Sequence, residues 1–305
     1  IKAYFVEGHG ERNSTGTDRN GYSNVLDILK RDNYTVDKIV LAQTQAGVPA
    51  DASVLIVAGP TTDFLKPEVL LKEWSITLGH DVVIDISGMG QLLGTDASVP
   101  VVASYPQHPV TENFNVLTAF PLAQSVRGEA GMELATASTQ NVIQTSERSW
   151  SESDVKSIAS GGKVSLDEAG GDHKGPITIA LSLSMDAPDA PPSAADAAST
   201  SAPGASADKP GETAPPKPQM RLIVVGDSDF ASNAASGIQG NSDLFVNMGN
   251  WLTQQEDLIS IRPRDAGDRR VTMTADQQRR VAWLSLLVIP GLILGSGIFT
   301  WWQRR

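Results

Sequence analysis

The stretch Val54-Leu-Ile-Val-Ala-Gly-Pro-Thr-Thr-Asp63 carries the reading of the fold. An uninterrupted apolar run closed by Gly59-Pro60 predicts a strand over Val54–Ala58, buried on both faces, followed by a turn. Strands of that kind belong to parallel sheets covered by helices. Working outward, Ala3–Val6 is a second such run and ends in Glu7-Gly-His-Gly-Glu11. Tyr22, Val25, Leu26 and Leu29 recur at helical spacing and predict a helix over Gly21–Arg31, with a strand at Tyr34–Leu41 after it. Val69, Leu70, Trp74 and Leu78 predict a helix over Pro67–Leu78. Val82–Ile86 is another buried strand, leading into Ser87-Gly-Met-Gly90.

Further on, Arg221–Val225 is a buried strand ending at Gly226-Asp-Ser-Asp-Phe230. Leu244–Leu252 is a helix with Phe245, Met248, Trp251 and Leu252 apolar, and Leu258–Ile261 reads as a last strand. Strands alternating with helices predict an α/β fold, a mainly parallel sheet with helices on both faces. The middle of the chain is harder to fit. Val99–Ala103, Phe114–Ala119, Ala123–Arg127, Glu133–Thr136, Val142–Gln144 and Ile177–Leu183 are strand-like, and 99–183 reads as a β-rich part of the same domain. The architecture resembles flavodoxin-like and class I glutamine amidotransferase-like folds. Their chemistry needs a cysteine at a strand–helix elbow; the chain has none, and no GxSxG elbow replaces it.

Two segments depart from this pattern. Asp186–Gln219 contains no Val, Ile, Leu, Phe, Trp or Tyr and is mostly Ala, Pro, Ser, Gly and Asp. It cannot bury enough apolar surface to offset its ordering entropy, so 186–219 is expected to be a disordered insertion within the domain formed by 1–185 and 220–262. The run Val281–Trp302, VAWLSLLVIPGLILGSGIFTWW, has no charge over about 22 residues and is flanked by Arg279-Arg280 and Arg304-Arg305. It predicts one C-terminal transmembrane helix over 281–302, with 263–280 as a juxtamembrane segment and Trp283, Trp301 and Trp302 at the interfaces. Pro290 would kink it mid-span, and Gly291 and Gly295 would let a neighbouring helix pack closely. The strand at the very start leaves no leader legible, so any earlier membrane segment would precede Ile1.

The chain has 305 residues with a net charge of -11, 40% apolar and 19% charged. The acidic balance and the lack of a basic stripe argue against nucleic acid as a partner. With no cysteine, thiolate metal sites and a cysteine nucleophile are excluded. Asp227 and Asp229 lie where open α/β sheets place ligands, and their spacing suits a hard cation; the structural alternative has Asp229 capping a helix and Asp227 shaping the turn. His9 and Glu11 are spaced for an acid–base pair or half a metal site; the structural alternative has His9 as a loop residue hydrogen-bonding the backbone. His108 sits in a rigid Pro-flanked turn, and His80 and His173 read as structural. Neither catalytic nor metal-ligating residues are assigned, and no cofactor is expected. The loops Gly8–Gly10, Gly59–Asp63, Ser87–Gly90 and Gly226–Asp229 form the expected ligand-binding edge, with His9, Glu11, Asp63, Ser87, Asp227 and Asp229 as its polar residues.

The ordered set Tyr4–Glu11, Tyr105–Thr111, Ser149–Glu152, Gly175–Ile177, Gly226–Phe230, Asn247–Leu252, Ile259–Pro263 and the Trp-Trp-Gln-Arg-Arg305 ending resembles the auxiliary component of the gliding-motility-type ABC transport system. That resemblance implies a non-ATPase subunit beside an ABC permease and a separate ATPase. Its domain would be extracytoplasmic (periplasmic), with a protein or glycan as ligand, and it would be anchored in the cytoplasmic membrane. Basic residues are more numerous before the tail run than after it, which taken locally would put the domain on the other side; a long translocated domain escapes that rule. Two further functions stay open: a metal-dependent hydrolase of an envelope substrate using Asp227 and Asp229, and a periplasmic glycan- or peptide-binding module.

Overall fold

The computed structural model describes residues 1–44, 47–62, 71, 74–92, 94–128, 137–161, 165–186, 219–255, 283, 285 and 289–304. It separates into two units, Ile1–Ile261 and Arg262–Arg305, which are described in turn.

In the first unit β1 (Lys2–Val6) is followed by α1 (Ser23–Arg31), β2 (Thr35–Ile39) and β3 (Val54–Ile56). β1 lies between β2 and β3, parallel to both, with Tyr4 opposite Asp37 on one side and Leu55 on the other. Alternation along β1 sorts its side chains. Ala3 and Phe5 enter the main core, while Tyr4 and Val6 pack in a satellite cluster with Ile39. α1 buries Val25, Leu26 and Leu29 on one stripe, as its period requires, and Lys30 and Arg31 close its last turn, where the helix dipole favours cations.

The expectation of a mainly parallel sheet is overturned by the remaining pairings, all of which are antiparallel. β4 (Ile76–Leu78) pairs with β8 (Val126–Gly128), and β5 (Val82–Asp85) pairs with β10 (Ser149–Glu152). After α2 (Met89–Leu92), β6 (Val101–Val102) pairs with β7 (Thr118–Ala119). β9 (Ser138–Gln144) and β13 (Gln219–Val225) flank β12 (Thr178–Asp186), and β11 (His173–Lys174) flanks β10 after the short α3 (Val155–Ala159). The molecule is thus mostly small antiparallel sheets with few helices, not a flavodoxin-like parallel α/β fold. β5 shows why sequence misleads here. Its four residues are all buried, Val82 and Ile84 against Trp150, Ala97 and Ile158 and Val83 in the main core, while loops close its free edge: Val83 N–H donates to Ala123 O at 2.7 Å and Asp85 N–H to Ala97 O at 2.8 Å.

Other expectations fail for local reasons. The C-terminal part of the helix predicted over Pro67–Leu78 is strand β4, and Ser75, at φ 51°, holds the left-handed conformation that prevents a helix from continuing into it. Residues 63–70, 72 and 73, including Asp63, lie outside the described residues, as do Glu133–Thr136, the strand predicted at Leu258–Ile261 and the juxtamembrane segment. Val54–Ala58 is not buried on both faces, because Val57 is 47% exposed. β12 breaks its own alternation. Register shifts between Thr178 and Leu181 send Ile179 into the main core but Leu181 and Leu183 into a second cluster with Leu71, Ile76 and Val126. Of the 186–219 segment, 187–218 lies outside the described residues, and the ends that flank it are paired, Asp186 opposite Gln219.

α4 (Gln239–Leu252) closes the main core with Leu244, Val246, Met248 and Trp251. It also buries three asparagines. Asn241 accepts from Ala119 N–H at 2.9 Å and donates to Ala119 O and Phe230 O, each at 2.8 Å. Asn247 donates to Val110 O at 3.3 Å, and Asn250 accepts from the Tyr34 hydroxyl at 2.8 Å.

In the second unit the described helix is α5, Ile289–Gln303, 15 residues. At about 1.5 Å per residue it is roughly 22 Å long, short of the roughly 30 Å hydrocarbon core. No helix among the described residues is long and apolar enough to cross a membrane. The predicted transmembrane helix over 281–302 is therefore corrected, and with it the placement in the cytoplasmic membrane that was read from the same run. Pro290 lies in α5, and residues 286–288 before it are outside the described residues. Gly291 and Gly295 lie in α5, with nothing within 4 Å of where a Cβ would be.

Candidate functional site

Three loops leave the carboxyl ends of β1, β3 and β13 and meet. Arg12 N–H donates to Ala58 O at 2.8 Å, and Thr61 and Thr62 N–H both donate to His9 O, at 3.0 and 2.9 Å. Gly10, at φ 80°, passes so close to the Thr61 side chain that a Cβ would collide with it. The Arg12 guanidinium pairs with Asp229 and reaches Ser228 Oγ at 3.5 Å, and the buried Tyr22 hydroxyl donates to Ser228 O.

The structure therefore brings together the loops carrying His9, Glu11, Asp227 and Asp229, but gives these residues distinct tasks. Glu11 accepts the His9 backbone N–H at 2.7 Å and lies 3.1 Å from His9 Nδ1, a clamp within one loop. Asp227 Oδ1 accepts the N–H of Asp229 at 2.6 Å, the turn-shaping role; Asp229 faces Arg12 rather than capping a helix. Ser87 stays in its own turn, its N–H on Asp85 Oδ1 at 2.7 Å. β5 is antiparallel to its neighbour, so the loop after it is not one of the three. Arg12, Tyr22 and Ser228 were not singled out from sequence. The available signal was slight: Arg12 directly follows the glycine loop, and Tyr22 is the first apolar residue of the α1 stripe.

No group of three His, Asp or Glu side chains that could hold a metal occurs among the described residues. With Asp229 neutralised by Arg12, the shared-cation arrangement gains no support. His108 and Ser182 look at first like a base and a nucleophile, 2.9 Å apart and buried. But Nδ1 of His108 accepts the Val110 N–H at 3.1 Å, so its proton resides on Nε2 and is donated to Ser182. Ser182 in turn donates to Gln140 O at 3.3 Å. Oriented this way, the imidazole cannot accept the serine proton.

Beneath the three loops a cavity of about 670 Å³ separates β3 from β13. Its walls include Leu29, Ile56, Phe245, Met248 and Leu252, and Asp227 is part of its lining. Val57 and Leu122, 47% and 54% exposed, also line it. Leu122 is held at φ 53°, a costly conformation for a bulky residue and one that concentrates at ligand clamps. Burial, with a smaller push from the Asp229 charge, raises the Asp227 carboxyl to about 8, against the backbone N–H groups of Asp229 and Phe230 and the Arg12 charge. Burial and then the Asp227 charge push Tyr22 up as well.

Arg12 links the first strand's loop to the last, but through a pair that is part exposed, 27% and 36% at the two side chains. Arg12→Ala is expected to cost only about 1 kcal/mol. A urea titration with an unchanged slope checks this.

No family model matches the chain, and no curated protein matches it. Among solved structures it is similar to the mmIFT52 N-terminal domain, with a TM-score of 0.50 and 12% identity over 82% of this chain and 96% of that one. At that identity the likeness concerns the fold alone.

Proposed function

We propose that the chain is a non-enzymatic binding subunit of an ABC-type transport assembly, with the cavity under the β1, β3 and β13 loops as its recognition site. The observation that carries the binding part is the contrast between rim and interior. Of the polar groups that chemistry would draw on, Glu11, Asp229, His108 and Ser182 are engaged in holding the fold. The interior offers apolar walls and exposed Val57 and Leu122, the composition of a site that holds rather than converts.

The assembly part rests on the ordered motifs, and their packing supports it. Arg12, directly after Tyr4–Glu11, pairs with Asp229 of Gly226–Phe230, and His108, in Tyr105–Thr111, packs on Trp251 of Asn247–Leu252, ring centroids 5.2 Å apart. The partners in this reading are an ABC permease and its ATPase. Co-purification of the tagged full chain from its own host tests the reading. Enrichment of an ABC ATPase together with a multi-span permease is the expected result; turnover of a substrate by the purified chain unaided would overturn it.

A further inference from the structure

We propose that the cavity between β3 and β13 takes an extended peptide segment of a partner protein as an added strand, its backbone bonded to both edges at once. The proposal rests on the reading of the chain as a binding subunit and names the ligand class and binding mode of that site.

Both strands are edges: among the described residues β3 pairs with β1 alone and β13 with β12 alone. The ladder bonds show which backbone groups point outward. Gly226 N–H donates to Ile179 O, directly opposite it in the β12–β13 register. Val224 and Leu222 continue that set toward β12, and the alternating residues Val225 and Ile223 turn their N–H and C=O away from it. In the parallel pair Ser53 N–H donates to Lys2 O, so Leu55 faces β1 next while Val54 and Ile56 turn away. Val54, Ile56, Ile223 and Val225 all line the cavity, and among the described residues their outward groups meet no backbone partner. Ile56, Ile223 and Val225 are only partly buried and Val57 beside them is exposed, so these edges are reachable from solvent.

The shape of the cavity fits a strand. Leu29, Phe245 and Met248 line it on the side of the main core, and Leu71 and Leu78 on the side of the second cluster. It therefore reaches both faces of the sheet, as the place of a missing strand does. By strand spacing, sheet separation and rise, a strand residue takes up roughly 160 Å³, so a cavity of about 670 Å³ holds about four. At the carboxyl ends the gap is shut. A Cβ on Gly59 would lie 2.6 Å from Ser228 Oγ, and Arg12 pairs with Asp229 there. The added strand is thus short and enters from the amino ends of β3 and β13. Unpaired edges template strand addition, in which main-chain bonds supply affinity and alternate side chains supply specificity. A small apolar ligand would leave both rows of outward groups unanswered, whereas a peptide backbone answers both. His80 and Gln124 also belong to the lining, so alternating Val and Thr suit it better than a wholly apolar segment.

The test is fluorescence anisotropy of the full chain with a fluorescein-labelled Val-Thr-Val-Thr-Val peptide, for which saturable binding below about 100 μM is expected. An N-methyl group removes one backbone donor and leaves the side chain alone. Placed singly on the second or the third residue, it should in each case weaken binding at least about tenfold, because consecutive N–H groups point to opposite edges. Amide hydrogen exchange of the chain should slow at Val54, Ile56, Ile223 and Val225 together when the peptide is added. Val57→Glu, at an exposed position on the rim, should weaken binding while the thermal unfolding of the free chain stays where it was. No binding, equal affinity for the parent and both N-methyl peptides, protection along only one of the two strands, or binding untouched by Val57→Glu overturns the proposal. None of these outcomes alters the enrichment of ATPase and permease with the tagged chain. Turnover of a substrate by the chain unaided would in turn leave peptide binding intact, so the two readings fail separately.

Discussion

Asn241→Leu should destabilise the first unit by about 3–5 kcal/mol, because three buried backbone groups lose their only partner from this side chain at once. Asn241 is fully buried, and its carboxamide satisfies the N–H and O of Ala119 and the O of Phe230. Those atoms belong to β7 and to the turn after β13, so one side chain joins α4, a middle strand and the loop cluster. Leucine has similar volume but neither donor nor acceptor, which leaves the exposed polar atoms without water or protein. Against a typical stability of about 5–15 kcal/mol this is a large share, equivalent to a fall in Tm of roughly 10 °C. Thermal and urea unfolding of the variant check it. Asn24→Ala, whose amide bonds Ser236 Oγ at the surface, is the control and should shift stability by less than about 0.5 kcal/mol. A loss that small for Asn241→Leu would mean that water replaces the amide.

Asp227→Asn should instead stabilise the protein, and increasingly so as pH rises. The folded-state carboxyl stands at about 8 against an ordinary value of 3.8, mainly through burial. Below about pH 4 both states hold the proton; between there and about 8 only the folded state does, so stability falls as pH rises, by up to about 1.4 kcal/mol per unit. Above that window both states are ionised and the loss is complete. The variant has no charge to desolvate and keeps an oxygen for the Asp229 N–H. It should exceed the natural protein by about 2 kcal/mol or more near pH 9, the gap closing toward pH 4. Denaturant midpoints across that range measure it, and a gap that does not vary with pH would assign the effect to packing rather than to ionisation. Retaining a group that lowers stability is the pattern expected where a site is kept for binding.

How much of this was legible in the sequence differs by element. α1 was legible because Tyr22, Val25, Leu26 and Leu29 declare one buried stripe, and nothing in the tertiary structure competes with it. The strand before Gly226–Phe230 was legible, but its expected burial was not: of β13 only Val224 is buried, because an apolar run does not show how much of each face is covered. The pairing direction of β5 was not, since an apolar run records burial and is silent about which neighbour supplies the hydrogen bonds. β12 was mispatterned for a related reason: its register shifts change which face a given parity addresses. The tail reading rested on hydropathy alone, and among the described residues the helix there, α5, takes in 15. The buried asparagines of α4 interrupt its apolar stripe, and only their partners in β7, the Val110 turn and Tyr34 explain them.

The pairing of Arg12 with Asp229 joins residues 217 positions apart, and the Tyr22 hydroxyl spans 206 to reach Ser228. Contacts of such high order form late, after the intervening chain has been ordered. The recognition loops therefore come into being only when the opening and closing segments of the first unit have found each other. A chain clipped before Gly226 would lack the partners of Arg12 and Tyr22 in this loop cluster.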